Sequence, residues 1–275
     1  MNKIINKKTQ LGISLIELLI AMTIGLFLLA GIASSYISSK KTSIERDQMS
    51  LLEDNGRIAL ETLTKVIQHT GYSSGDKSLL PFITQTADVA SVACTDGSQS
   101  VVNTGIFTAD RIVKDGAASD SDSIGVIFYG DNNLFRDCVG GELPAACRAN
   151  PSKVYNSFYV SNGNLECVGS RVNKAHVVAE GVENIQFLYG VDTTADDLVD
   201  RYMTATDLAL AAAGNATIWK SIISVQIAIL VRSSKPVKLS AESRSYTLLD
   251  QLVTSANDKF KREVFTTTIR LRNTL

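Results

Sequence analysis

The residues that could carry chemistry are few, and the most unusual of them is a single acid. Glu17 is the only charged residue in an apolar run of 25 residues, from Ile13 to Ile37. A carboxylate within a membrane span costs up to about 2.5–3.5 kcal/mol, and such residues are functional by default. An isolated charge in apolar surroundings also needs a partner of opposite sign. The sequence alone thus shows a lone acid in an apolar run, and we expect Glu17 to be functional.

Four cysteines follow the apolar run: Cys94, Cys138, Cys147 and Cys167. An even number of cysteines outside the cytoplasm favours disulfides over free thiols, so we expect two bridges. Three pairings are open, and proximity in the sequence favours Cys138–Cys147 together with Cys94–Cys167. A zinc site is not indicated, because the sequence contains no C-x-x-C pair.

A cluster of acids is the remaining candidate for metal binding. It contains Asp192, Asp196, Asp197 and Asp200. Oxygen-rich loops of this kind can bind Ca²⁺. The spacing and the glycine of an EF-hand are missing, however, so we favour a solvated acidic loop over a calcium site.

The sequence lacks the common catalytic motifs. His69 and His176 are its only histidines, and it has no H-E-x-x-H, no G-x-S-x-G and no glycine-rich phosphate loop. His69 is close to the end of a predicted helix, where an imidazolium interacts favourably with the helix dipole. The 27 basic and 28 acidic residues give a net charge of −1, which does not favour nucleic-acid binding. We expect a structural and interaction protein, with no catalytic residue and no cofactor.

The N-terminal elements predict a membrane anchor. Residues 1–12 carry three lysines and no acid, so this segment has a charge of +3 and leaves −4 on the rest of the chain. Residues 13–37 would form a helix of about 37 Å, enough to cross a bilayer. Positive charge before the span places the N-terminus in the cytoplasm and residues 38–275 across the membrane. The apolar run is too long for an ordinary cleaved secretory signal.

The periodicity of the following residues predicts that the helix continues to about Thr70. One stripe recurs every seven residues, and a second adjoins it: Ile37, Ile44, Leu51 and Ile58, then Leu52, Ala59, Leu63, Val66 and Ile67. We expect the amphipathic half, residues 38–72, to pack on the protein's own sheet, with a coiled coil to another chain as the alternative. Gly56 inside this helix suggests a close approach of another backbone or a kink.

Residues 73–275 predict a β-rich globular domain. Strands are expected at 124–129, 154–160, 177–178, 185–189, 218–232 and 264–272, and a short helix at 207–213. The fold class is therefore α+β, with a long N-terminal helix packed on a C-terminal antiparallel sheet.

The start of the apolar run resembles the class III signal of type IV prepilins. The resemblance rests on the basic leader followed by Gly12-Ile13-Ser14-Leu15-Ile16-Glu17. It implies that prepilin peptidase cuts between Gly12 and Ile13, that the new amine of Ile13 is methylated, and that Glu17 sets the register of assembly. In that family Glu17 of one subunit would neutralise the terminal amine of a neighbour.

Later segments resemble the PilW-like minor pilins within that family. They are Glu53–Leu60, His69–Tyr72, Gly181–Gln186, Tyr189–Thr193 and Phe265–Asn273. The resemblance implies the type IV pilin fold and a minor pilin that primes pilus assembly at or near the pilus tip. Its partners would be prepilin peptidase, other minor pilins, the major pilin and a tip adhesin, with roles in twitching motility and cell adhesion.

The resemblance also implies a location, and it leaves two alternatives. The protein would reside in the inner membrane of a Gram-negative bacterium, with its C-terminal domain in the periplasm, and then on the cell surface in a pilus. A tip pseudopilin of type II secretion is the alternative within the class. An uncleaved membrane-anchored receptor or sensor is the alternative from another class.

Overall fold

The computed structural model describes residues 14–73, 80–117, 120–148, 152–215 and 217–273. Its first element is one helix, α1, from Leu15 to Gln68. The chain divides into two units, Met1–Asp47 and Gln48–Leu275, and α1 contributes to both. In the first unit the described apolar side chains are exposed in the single chain, and this part of α1 is long and apolar enough to cross a membrane.

The second unit adds ten strands and two short helices among the described residues. In chain order the strands are β1 (Ile124–Gly130), β2 (Ser152–Ser161), β3 (Asn164–Gly169), β4 (His176–Glu180), β5 (Val182–Val191), β6 (Arg201–Met203), β7 (Ile222–Arg232), β8 (Ser245–Leu248), β9 (Gln251–Thr254) and β10 (Arg262–Arg270). The helices are α2 (Ala145–Arg148) and α3 (Ala205–Ala212).

The strands form two four-stranded antiparallel sheets and a hairpin. The first sheet has the order β1-β2-β3-β4, the second has the order β10-β7-β5-β6, and β8 pairs with β9. The chain passes from one sheet to the other at Gly181, which has a φ of +76° between β4 and β5. The expected α+β arrangement of a helix on antiparallel sheet is confirmed.

The central strand β7 is buried on both faces, which explains its long apolar sequence. Val225, Ile227 and Ile229 belong to the core cluster that also contains Leu52 and Leu63 of α1. Residues on the opposite face of β7, such as Ala228 and Leu230, pack with the β8–β9 hairpin. A strand covered on both faces needs apolar residues at successive positions rather than strict alternation.

The structure buries only one of the two helix stripes that were expected to pack on the sheet. The side chains spaced by seven residues are exposed, at 66%, 42%, 47% and 48% for Ile37, Ile44, Leu51 and Ile58. The buried face of α1 is the adjoining one, and it consists of Gln48, Leu52, Gly56, Ala59, Leu63 and Ile67. The prediction that the Ile37–Ile58 stripe packs on the sheet is therefore wrong, whereas the adjoining stripe does pack there.

The cysteines form two disulfides, but not in the pairing favoured by sequence proximity. The bridges are Cys94–Cys147 and Cys138–Cys167, with Cα–Cα distances of 4.9 and 6.4 Å. Cys167 lies on β3, and the backbone N–H of Cys138 donates to Asn156 of the neighbouring strand β2. Cys147 lies on α2, in a separate apolar cluster that also contains Cys94. The two cysteines that are closest in sequence, Cys138 and Cys147, thus belong to different apolar clusters.

Candidate functional site

The acid at the start of α1 takes part in the end structure of the helix. Glu17 lies in the first turn, where a negative charge interacts favourably with the helix dipole. The backbone N–H of Ser14 donates to Glu17 Oε2 at 3.3 Å. This contact is one half of a capping box, in which an acid at the third helical position binds the N–H of the capping residue. The Ser-x-x-Glu spacing in the sequence already carried this signal.

The described residues supply no cation to Glu17. Its only hydrogen bond there is the one from Ser14, and it forms no ion pair. An ionised carboxylate has room for about four hydrogen bonds, so most of its acceptor capacity is free. Gly12 and Ile13, the expected cleavage and methylation site, lie outside the described residues. The geometry is that of an acid held at a helix start with capacity for an external partner.

Gly56 on the buried face of α1 contacts an aromatic ring of the last strand. A Cβ atom added at Gly56 would lie 2.6 Å from Cε2 of Phe265. Normal carbon–carbon contacts are about 3.5–4.0 Å, so only a glycine accommodates the ring at this distance. The expected close approach of another backbone is therefore corrected, because the neighbour is a side-chain ring on β10. The two family-like segments Glu53–Leu60 and Phe265–Asn273 meet at this point.

The end of α1 is fixed by both backbone geometry and the end of the sheet. Gly71 has a φ of +75°, and its N–H donates to the carbonyl of Ile127 on β1 at 2.8 Å. Glycine is favoured where a helix ends in a left-handed residue. The side-chain amide of Asn273 donates to the carbonyl of Gln68 at 3.2 Å, which satisfies a group that has no partner within the helix. The sequence analysis did not anticipate this role of Asn273.

The structure corrects the expectation for His69. Burial, with a further contribution from the charge of Arg272, lowers the pKa of the His69 imidazole. Both effects disfavour the charged imidazolium and so oppose the stabilisation expected from the helix dipole.

The acidic loop binds its own backbone. Asp192 accepts three backbone N–H groups of the loop at 2.6–3.0 Å, and Asp200 accepts the N–H and hydroxyl of Thr193 at 2.6 Å each. Burial acts to raise the pKa of Asp192, but these donors outweigh it and hold the pKa below its ordinary value. Asp196 accepts the N–H of Leu198 instead of facing Asp192, and Asp197 donates its own N–H to Asp192. Across the described ranges, no group of three or more His, Cys, Asp or Glu residues is placed to hold a metal ion.

Two segments of the chain match models of known protein families. Residues 7–33 match the prokaryotic N-terminal methylation motif, and residues 156–273 match the family described as type IV pilus-assembly protein W. The first match includes Gly12, Ile13 and Glu17, and the second covers the strands from β2 to β10. A search of curated proteins gives no match. Among solved structures, a type IV-like pilin from Thermus thermophilus aligns with 13% identity and a TM-score of 0.43, over 81% of this chain and 96% of that one.

The long helix has an acid in its first turn, and antiparallel sheets follow it in the chain. This arrangement is that of a type IV pilin-like protein. Within that class, the two matched segments support a PilW-like type IV minor pilin. The methylation motif implies processing by prepilin peptidase and partners in a pilus. The apolar helix is consistent with anchoring in a membrane before assembly.

Proposed function

We propose that this minor pilin primes assembly of a type IV pilus, together with other minor pilins, and lies at or near the pilus tip. The observation that carries the proposal is the match of residues 156–273 to a pilus-assembly family. This segment includes β10, whose Phe265 packs on Gly56 of α1. The family-specific segment and the long pilin helix are thus parts of the same packed core.

The assembly step in this proposal depends on Glu17. Prepilin peptidase would cut between Gly12 and Ile13, and the methylated amine of Ile13 would carry a positive charge in apolar surroundings. The amine of one subunit and the Glu17 carboxylate of its neighbour would neutralise each other and fix the register of their helices. The free acceptor capacity of Glu17 supports this pairing. Removing only one member of a buried pair leaves an uncompensated charge, which is strongly unfavourable.

The remaining partners and the location follow from this role. The chain would be anchored in the inner membrane of a Gram-negative bacterium, with residues 38–275 in the periplasm. It would then enter a complex with other minor pilins, the major pilin and a tip adhesin. The cell-surface functions would be twitching motility and adhesion.

Deletion of the gene tests the main proposal. Loss of pili and twitching with unchanged protein secretion is the expected result. Unchanged piliation and motility would contradict the proposal, and loss of secretion with intact pili would favour a type II secretion pseudopilin.

Two measurements on the native chain test the N-terminal chemistry. N-terminal sequencing should find mature protein that starts at methylated Ile13, whereas an intact leader would indicate an uncleaved anchor. A Glu17→Ala variant should still be cleaved but should be depleted from sheared pili by about tenfold or more, if loss of the pair costs at least 1.4 kcal/mol. The matched control is Glu45→Ala, which removes an acid from the same helix beyond the apolar run. Normal incorporation of Glu17→Ala would refute the pairing role.

A further inference from the structure

Four lysines are brought together on two segments that flank the β8–β9 hairpin. Lys235 and Lys238 precede the hairpin, and Lys259 and Lys261 follow it. Backbone hydrogen bonds join the segments, because the N–H groups of Val237 and Lys238 both donate to the carbonyl of Lys259 at 3.0 Å. The N–H of Ser233 donates to the carbonyl of Lys261 at 2.8 Å. We call Lys235, Lys238, Lys259 and Lys261 the lysine cluster.

Most of the charge in the lysine cluster is uncompensated. Lys238 pairs with Glu242 at 2.5 Å, whereas Lys235, Lys259 and Lys261 form no ion pair with the described residues. The nearby acid Asp258 is already bound by Arg262, whose guanidinium also binds Glu183. Residues 233–262 contain six basic and three acidic residues, a net charge of +3 in a chain whose total is −1. The positive charge is therefore concentrated on this surface.

An exposed apolar side chain accompanies the lysines. Leu239 follows Lys238 directly and is 79% exposed, one of the most exposed large apolar residues of the second unit. A leucine beside several lysines is the combination that favours the boundary of an anionic bilayer, where the apolar group enters the interface and the ammonium groups meet phosphates.

The lysine cluster is hydrogen-bonded to the first residue of the second unit, which follows the apolar run after a short length of chain. The backbone N–H of Lys235 donates to Oε1 of the buried Gln48 at 2.7 Å. Gln48 is the first residue of the second unit and follows Ile37 by eleven residues. Even a fully extended chain of that length spans at most about 36 Å. A membrane that holds the apolar run is therefore always within reach of the lysine cluster, at a high effective concentration.

We propose that the lysine cluster and Leu239 bind the surface of a bilayer that contains anionic phospholipids, and so dock the second unit on the membrane before assembly. The ligand chemistry is a phosphodiester headgroup in a lipid surface. Nucleic acid would explain the lysines but not Leu239 or the tether to the apolar run. Binding of an acidic partner protein instead of lipid is an outcome that the experiment below would detect. This inference rests on membrane anchoring of the chain, and it is independent of any role in priming pili.

The experiment uses the full chain in lipid nanodiscs, with roughly 30% phosphatidylglycerol in phosphatidylcholine or with phosphatidylcholine alone. The readout is the rate at which an amine-specific reagent labels Lys235 and Lys259, measured by mass spectrometry. Labelling should slow in the anionic nanodiscs, and the protection should disappear between about 50 and 500 mM salt as the charges are screened. Lys174, an exposed lysine outside the cluster, should be labelled at equal rates in both.

A second measurement follows insertion of the apolar residue. In a Leu239→Trp variant, brominated lipids should quench the new tryptophan, whereas the native Trp219 is only 6% exposed and is shielded from lipid. Lys235→Gln/Lys259→Gln should reduce the ratio of docked to undocked protein by about 25-fold, at about fivefold for each lysine. Lys235→Arg/Lys259→Arg should preserve docking, and the matched control Lys153→Gln/Lys174→Gln should not change it.

Four results would overturn the proposal. The first is equal labelling of the cluster in both kinds of nanodisc, and the second is quenching that is indifferent to phosphatidylglycerol. The third is an anionic-lipid effect that persists in Lys235→Gln/Lys259→Gln. The fourth is protection that appears only when an acidic protein is added. Normal piliation in the lysine variant would not contradict membrane docking. Failed piliation of Glu17→Ala would not contradict it either. The docking proposal and the priming proposal can therefore be refuted separately.

Discussion

Replacing Gly56 by alanine should destabilise the protein, although alanine is the better helix former. An alanine in a helix interior is favoured over glycine by about 1 kcal/mol. Against this, the new Cβ would lie 2.6, 2.7 and 2.8 Å from three atoms of the Phe265 ring. The ring or the helix must move by about 1 Å to restore normal contact distances. Overpacking of this kind costs about 1–3 kcal/mol, so we expect a net loss of about 1 kcal/mol.

The sign of the effect should depend on Phe265. In a Phe265→Ala background the ring is absent, so Gly56→Ala should stabilise the protein by up to about 1 kcal/mol through helix propensity alone. The difference between the two backgrounds, about 2 kcal/mol, is the coupling energy of the pair. Ser50→Ala on the exposed face of α1 is the matched control, because it changes propensity without touching β10.

The assay is urea unfolding of the full oxidised chain, followed by the fluorescence of Trp219. This residue is the only tryptophan, and it is buried beside Tyr189 and Phe82, so its emission reports the packing of the second unit. Equal stabilisation by Gly56→Ala in both backgrounds would refute the contact between α1 and β10. If Gly56→Ala still destabilised the protein in the Phe265→Ala background, the requirement for glycine at position 56 would have a cause other than the ring.

Peptide mapping without reduction should recover Cys94 linked to Cys147 and Cys138 linked to Cys167; a Cys138–Cys147 peptide would contradict the fold around β3. The double variant Cys94→Ser/Cys147→Ser should lower the unfolding free energy by about 2–4 kcal/mol, measured by urea unfolding against the oxidised parent. Burial raises the pKa of Asp122 to about 7, against 3.8 for the free side chain. The folded state therefore holds a proton that the unfolded state releases, and Asp122 should make the protein more stable as the pH falls from 7 towards 4, by up to about 1.4 kcal/mol per pH unit. Asp122→Asn should flatten this part of the stability profile, and an unchanged slope would place the titration elsewhere.

The sequence predicted the helix and the main strands because their signals are local. The apolar run and the absence of proline before Pro81 indicate one long helix, and β7 carries a run of β-branched residues. The choice of the buried helix face failed for an identifiable reason. A hydropathy pattern selects the stripe with the bulkiest side chains, such as Ile44 and Ile58. The buried face instead contains Gln48 and Gly56, whose partners lie about 190–210 residues away along the chain.

The same limit applies to the disulfides and to the candidate site. Sequence distance governs how easily two cysteines meet in an unfolded chain, but the folded positions decide which pair is compatible with a bridge. Cys138 and Cys147 belong to different apolar clusters, and no local pattern in the sequence encodes that assignment. For Glu17, by contrast, one acid in an apolar run and the Ser-x-x-Glu spacing are both local, so the sequence located this residue.

The two segments that resemble PilW-like proteins most closely form one packing unit, and this limits where the function can lie. Gly56 contacts Phe265, and Asn273 binds the carbonyl of Gln68, so both family-like segments are engaged in joining α1 to the second sheet. The face of α1 that forms that joint, which includes Gly56, is buried and not available to another subunit, whereas Ile58 on another face of the same segment is exposed. Contacts with other molecules must therefore come from groups that the fold leaves unsatisfied: the acid Glu17 at the start of α1, the exposed Ile37–Ile58 stripe and the lysine cluster beside Gln48. A variant that weakens the joint should reduce the stability of the subunit first, whereas a variant in the exposed groups should change binding with the stability intact.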